Sequence, residues 1–500
     1  MIPLFEQCRA GVLLHPTSLP GSGANGTLGE GAWRFVDWLA AGGFGVWQTL
    51  PLGPVDRYGS PYCLRSAHAG EPKLLDAEHL RSLRALPRAM RFDGVGAARK
   101  ELYESFVAVA SPEQKHDFAT FVRGARRWLL PYGLFELMST RFGGAAWWTW
   151  PRKFRDRDLR ALFEQLAHHR DVFRAVLFEQ YLFELQWSAL KRYANDRGVL
   201  LFGDLPFYVD RNSVEVWWHR ELFELTSDGE PRAVAGVPPD YFNADGQLWG
   251  NPLYAWQTMQ RRGFRWWIER LRDQLRRFDL VRIDHFRALE SYWRVPAGAK
   301  TAREGEWRHS PGDALLAAVI RELGRVPIVA EDLGIITDDV RALRDRFELP
   351  GMVVLQFGFD GAENNPHLPH NHRANSVVYT GTHDNDTVVG WYAGLDEHAR
   401  DTVRRFLGEP PAGGVAEWLI DAAYGSRAAL AMVPLQDLLG LGSAARMNEP
   451  GTVEGNWRWR FSWSQVPDDL AARCRARAVA AGRSPRERMA DFPVFGSSGA

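Results

Sequence analysis

Three short stretches hold carboxylates where a catalytic group would be wanted. LVRIDHFRALESYWRVP (Leu280 to Pro296) places Arg282 and Asp284 two residues apart on a strand-like run. Side chains two apart on a strand share a face, so both should project together at the strand's end. A neighbouring cation favours the ionised carboxylate, which is the form a nucleophilic or charge-stabilising aspartate needs. PIVAEDLG (Pro327 to Gly334) ends its apolar run in Glu331, and SVVYTGTHDND (Ser376 to Asp386) ends in His383 and Asp384. Acids at the carboxyl ends of several strands form a shared catalytic cluster in barrel enzymes; one alone would serve equally well as a structural ion pair.

Eight apolar, β-rich segments could position these groups: Gly11 to His15, Phe44 to Leu50, Val199 to Phe207, Leu280 to Phe286, Pro327 to Leu333, Met352 to Phe359, Ser376 to His383 and Leu430 to Leu439. The last also reads as helical. Helical patterns lie between them, among them Phe178 to Asn195, Phe264 to Phe278 and Asp313 to Leu323. Strand and helix alternating eight times predicts a parallel (β/α)₈ TIM barrel of class α/β, one catalytic unit spanning residues 1–500. Two insertions interrupt it. Residues 64–169 read as a mainly helical segment after the second strand, and residues 208–256 as a substrate-loop segment after the third. The tail from Pro493 has the composition of a disordered segment.

Composition narrows the partners. Lys plus Arg and Asp plus Glu number 61 each, so net charge gives no reason to expect nucleic acid or an anionic membrane. No apolar run approaches the roughly 18 residues of a membrane span, and no secretory leader opens the chain. The expectation is a soluble, cytoplasmic protein. Cys8, Cys63 and Cys474 are scattered and suggest neither a disulfide framework nor a zinc site. The 21 tryptophans, many in local groups such as Trp217 with Trp218 and Trp266 with Trp267, are compatible with binding sugar rings by their apolar faces.

Two motifs are set aside. GSGANG (Gly21 to Gly26) matches a dinucleotide fingerprint, but PTSLP separates it from its strand and no helix opens on its last glycine. His367, His370 and His372 form a histidine cluster that prolines interrupt, without the fixed spacing of a metal site. No nucleophile elbow occurs.

GVLLHPTSLPG, WQTLPLGP, GDLPFYV, GVPPDYFNADGQLWGNPLYAW, VRIDHFR, AEDLG, TGTHDND and RMNEPGTVEGNWRWRF together resemble the 4-α-glucanotransferases, called amylomaltases or disproportionating enzymes, of glycoside hydrolase family 77. The resemblance runs from about Gly11 to Phe461 and implies an α-amylase-type barrel. It implies Asp284 as nucleophile, Glu331 as general acid/base and Asp384 as the third acid, which binds substrate hydroxyls. Arg282, His285 and His383 match polar residues around the reacting sugar. Tyr241 and Phe242 match an aromatic loop on the acceptor side, Tyr62 and Trp249 match sugar-contacting aromatics, and Asn456 a further contact. Asp204 matches a remaining barrel acid of structural type. SAHAGEP departs from the expected SAFAGNP at His68 and Glu71, and Asn243 replaces a serine; at the rim, these bear on substrate length.

The implied reaction is retaining transfer of a 1,4-α-glucan segment to the 4-hydroxyl of an acceptor sugar. Its partners are maltooligosaccharides and other α-1,4-glucans, its form a monomer or small homo-oligomer, and it calls for no metal or organic cofactor. The same barrel also suits an α-amylase-like glucan hydrolase, and the same residues a non-catalytic glucan-binding protein. In a retaining site the burial of Glu331 should raise its pKa, while Arg282 holds Asp284 down.

Overall fold

The computed structural model describes residues 3–21, 23–56, 58–83, 86–87, 99–239 and 244–484. Its strands are β1 (Arg9–Leu13), β2 (Val46–Gln48), β3 (Leu200–Leu205), β4 (Ala233–Val237), β5 (Gln247–Pro252), β6 (Leu280–Ile283), β7 (Ser291–Pro296), β8 (Glu306–His309), β9 (Ile328–Ala330), β10 (Gly351–Val354), β11 (Ser376–Tyr379) and β12 (Leu430–Pro434). Eight of them form one parallel sheet in the order β10-β11-β12-β1-β2-β3-β6-β9. The Ala330 N–H donates to the Pro350 carbonyl at 2.8 Å and draws the two edges together. The result is the parallel (β/α)₈ TIM barrel that the eight apolar segments predict.

The segment that reads both ways contains both structures, a strand at Leu430–Pro434 followed by a short helix at Leu435–Leu438. Pro434 divides them because it cannot donate to the strand ladder yet suits the start of a helix.

Barrel strands buried on both faces need long apolar runs, and β1, β2, β3, β6, β9, β11 and β12 are buried throughout. Alternation then sorts their side chains. Val46, Leu200, Phe202, Leu280, Val329, Val354, Val377, Tyr379 and Met432 pack in one cluster. Two residues onward along the same strands stand Asp204, Arg282, Glu331 and Gln48, so the inward row turns polar at the carboxyl end. Gly11 pairs in register with both Val46 and Met432, and a Cβ there would lie 2.5 Å from the Met432 sulfur. Glycine is what leaves room for Met432.

The helix Pro112–Arg141 opens with a capping box between Ser111 and Gln114 and packs against the helix Arg170–Asp196. Strands β4, β5, β7 and β8 form a separate antiparallel sheet in the order β5-β4-β7-β8. The strand-like run Leu280 to Pro296 is therefore two strands, β6 and β7, belonging to different sheets. The turn Phe286–Leu289 divides β6 from β7, which pairs with β4 of the segment after β3.

At GSGANG, Arg460 donates to the carbonyls of Gly21 and Gly23, while Ser22 lies outside the described residues. In the histidine cluster, His367 Nδ1 accepts from the Val354 N–H, and His372 bonds Ser426 and the His367 carbonyl. Among the described residues, no helix is long and apolar enough to cross a membrane. The tail from Pro493 lies outside the described residues, as do Tyr241, Phe242 and Asn243.

Candidate active site

In register, Ile283 of β6 faces Ala330 of β9. Asp284 and Glu331 each follow by one residue, so the two carboxylates leave adjacent strands at the same level. Neighbouring strands lie roughly 4.8 Å apart. Backbone bonds beyond the strand ends fix both residues: the Asp284 N–H donates to Leu205, the Glu331 N–H to Ile283 and the Phe286 N–H to Glu331.

Arg282 stands at the centre of the charges. One terminal nitrogen donates to both oxygens of Asp204 at 2.8 Å and the other to Asp284 Oδ1 at 2.8 Å. Tyr62 adds its hydroxyl to Asp204 at 2.7 Å. Asp204 and Arg282 are buried, whereas the Asp284 side chain is 28% exposed. Among the described residues its Oδ2 accepts no hydrogen bond. An Asp204→Asn variant should lose about 3 kcal/mol of stability, because a buried guanidinium loses its bidentate partner; urea unfolding checks this, and an unchanged midpoint would deny Asp204 its anchoring part.

Glu331 is held differently. Its Oε2 accepts the His285 N–H at 2.6 Å and its Oε1 the Leu333 N–H at 2.8 Å. The first contact depends on His285 adopting a left-handed backbone (φ 50°), an uncommon state for a non-glycine residue. Strain of this kind is characteristic of functional sites. The His285 ring stands edge-on to Trp249 with centroids 4.7 Å apart, and its Nε2 is buried without a partner. Trp249 itself is 38% exposed, leaving area for another ring.

Asp384 follows β11 on a tight turn. Its Oδ1 accepts from Asn448 at 2.7 Å, Arg446 donates to its backbone carbonyl at 2.8 Å, and His383 Nε2 lies 3.4 Å from it. Tyr62 stacks on His383, with Trp457 at 6.1 Å and 6.0 Å from the two rings. Trp457 belongs to a tryptophan group, with Trp459 and Trp463, that the sequence marks as suited to sugar rings, whereas Arg446 and Asn448 carry no sequence assignment although RMNEPGTVEGNWRWRF contains both. The signal for both was the motif itself, in which only Asn456 is assigned a contact. Asn456 makes its hydrogen bonds inside the loop 449–456, to Glu449 and Thr452.

Burial raises the pKa of both central carboxyls. Asp284 is pushed up to about 8, with the Arg282 charge opposing and Asp204, Glu331 and Asp384 adding to the rise. Glu331 is raised by burial too, against Arg282 and the two backbone N–H groups. The expectation that Arg282 holds Asp284 low is corrected here: Asp204 shares that cation, and burial among several acids outweighs what remains. Burial lowers His285 to about 3, and lowers His383, so both rings are neutral near pH 7.

The departures at His68 and Glu71 also read differently in three dimensions. Both are buried. Glu71 accepts the N–H groups of Val55 and Lys73, and His68 pairs with Asp273, so neither is an open rim group.

A family model described as 4-alpha-glucanotransferase, of glycoside hydrolase family 77, matches residues 14–465. The chain belongs to this family. It is 44% identical over 504 residues to the 4-alpha-glucanotransferase of Thermus thermophilus, covering 95% of this chain and 98% of the relative. With that of Synechocystis sp. it shares 45% over 490 residues, covering 94% and 96%. In three dimensions it is similar to an amylomaltase from Streptococcus agalactiae solved with acarbose, at TM-score 0.90 and 33% identity, over 96% of this chain and 100% of that one. Its activity is that of a 4-alpha-glucanotransferase.

Proposed function

We propose that the enzyme moves a segment of an α-1,4-glucan between sugars by a retaining double displacement, with Asp284 as nucleophile and Glu331 as acid/base. The observation that carries this reading is the level placement of the two acids on adjacent strands. Retaining glycosidases keep their two carboxyls about 5 to 5.5 Å apart, a spacing close to the roughly 4.8 Å between neighbouring strands. Asp284 has one oxygen fixed by Arg282 and one free to attack.

Two carboxyls raised by the same burial hold one proton between them near neutral pH. Arg282 touches Asp284 and not Glu331, so the proton is favoured on Glu331. Glu331 gives it to the glycosidic oxygen as Asp284 Oδ2 attacks the anomeric carbon, and the reducing-end fragment leaves. An incoming 4-hydroxyl then loses its proton to Glu331 and attacks the same carbon, releasing Asp284. Two inversions leave the α configuration. Asp384, oriented by Asn448, accepts hydrogen bonds from hydroxyls of the bound sugar, and neutral His285 and His383 complete that polar wall. Trp249 and Tyr62 offer ring faces to sugars on either side.

Incubation of purified protein with maltotriose, followed by product separation, tests the reaction class. Glucose together with a ladder of longer maltooligosaccharides is expected. Maltose and glucose without longer products would mark a hydrolase, and no products a binding protein.

Transfer must outrun water, and an acceptor held in attack geometry has an effective molarity that water lacks. Tyr241 and Phe242, between β4 and β5 in sequence, are proposed as part of the acceptor platform on the strength of the family motif. Replacing both by alanine should lower transfer relative to hydrolysis roughly thirtyfold, at about 1 kcal/mol per ring. The ratio of ladder to free reducing ends from maltotriose measures it; an unchanged ratio at lower overall rate would make the pair general binding residues.

A further inference from the structure

Away from the carboxylates, the helix Pro112–Arg141, the short helix Val214–Trp218 and the helix Arg265–Arg277 enclose a second pocket of about 360 Å³. That is within the range of small-molecule sites. Trp128, Trp218 and Trp266 line it. Trp128 is backed by His68, whose ring lies nearly parallel at 6.1 Å and is pinned by Asp273 at 2.8 Å. The residue that departs from the family motif thus fixes one of the pocket's aromatic faces.

The polar groups are as specific as the rings. Glu215 lines the pocket and is only 3% exposed. Its Oε1 accepts from Ser66 and Ala67, but its Oε2 has no partner. A buried carboxylate oxygen left unsatisfied is costly and calls for a donor. The His219 ring, also in the wall, makes no hydrogen bond among the described residues, and burial lowers it to about 4, so it offers one donor and one acceptor. Gly124 sits on the exposed side of a helix, where glycine is disfavoured, and a Cβ there would meet nothing within 4 Å. Its missing side chain keeps the mouth open.

We propose that this pocket binds a glucosyl unit of an α-glucan chain, separately from the catalytic cleft. Indole faces suit the apolar face of a sugar ring, and His219 with Arg123, Arg126, Arg127, Arg272 and Arg276, which also line the pocket, can hydrogen-bond its hydroxyls. Glu215, Glu269 and Asp273 share the wall with those arginines, so the phosphate arm of the test below separates a sugar from an anion. A second hold on the same polymer would raise the local concentration of chain ends at the cleft. The proposal rests on α-glucan as the ligand class and not on the roles given to the three acids.

Native electrophoresis of the full-length enzyme in gels containing glycogen tests it. Gly124→Phe, which fills the mouth from a position free of clashes, and Trp128→Ala, which removes one face, should each bind glycogen about fivefold more weakly. Transfer from maltotriose, which is short enough to use the cleft alone, should stay at the parent rate in Gly124→Phe. Glycogen retardation equal to the parent's in the folded Gly124→Phe variant overturns the proposal, as does loss of maltotriose transfer in parallel with retardation. Inorganic phosphate added to the gel should leave retardation unchanged; release by phosphate would assign the pocket to an anion instead.

Discussion

Asp284→Asn should lower glucan transfer on the order of 10⁴-fold or more, because the amide can neither attack the anomeric carbon nor leave from it. The fold should survive, since Asn can still accept a hydrogen bond from Arg282 at the same distance. Maltooligosaccharide binding should persist, because Tyr62, Trp249 and Asp384 remain in place. Stability supplies a second readout with a definite sign. The Asp284 carboxyl is raised to about 8 by burial, far above its ordinary value near 3.9. The proton retained by this rise is shared by the Asp284 and Glu331 pair, and the stabilisation from holding it is full below about pH 4 and is lost as pH rises towards 8. The variant breaks the pair and drops this dependence, so its Tm should gain on that of the wild type across that window. A difference that is flat with pH would deny the raised carboxyl, and near-normal transfer would remove Asp284 from the mechanism.

Glu331→Gln should separate donors by their leaving groups. For maltotriose, whose leaving sugar oxygen needs a proton, a loss of about 10²- to 10⁴-fold is expected. For an α-maltosyl fluoride, whose fluoride leaves unprotonated, formation of the covalent intermediate should stay near the wild-type rate, and its transfer to a sugar should then stall for lack of a base. Azide needs no base and should restore turnover. A moderate loss of stability is also expected, because a side-chain NH₂ replaces an acceptor and strands the N–H of His285 or Leu333. Stopped-flow release of fluoride beside steady-state transfer measures both effects. Equal losses with both donors would mean that Glu331 is not the acid.

The barrel was legible because burial on both faces forces its strands to be apolar, and the turn residues after them mark where each ends. Strands β5 and β8 offered no such signal. Glu306–His309 is exposed along its whole length and Gln247–Pro252 nearly so, and both exist because a partner strand pairs with them. The acids could be found one at a time, each at the end of its own run. What tied them together could not: Tyr62 reaches Asp204 across 142 residues and Asn448 reaches Asp384 across 64. The proton balance was misread for the same reason. Arg282 and Asp284 are neighbours in sequence, whereas the competing hold of Asp204 on that guanidinium, and the burial that raises both carboxyls, appear only once the strands are side by side.

The most direct measurement is mass spectrometry of Glu331→Gln quenched during reaction with an α-maltosyl fluoride and digested with protease. The peptide containing RIDHFR should carry one maltosyl group, with fragmentation placing it on Asp284. A quenched enzyme without the label, or a label on any other residue, would contradict the double displacement through Asp284.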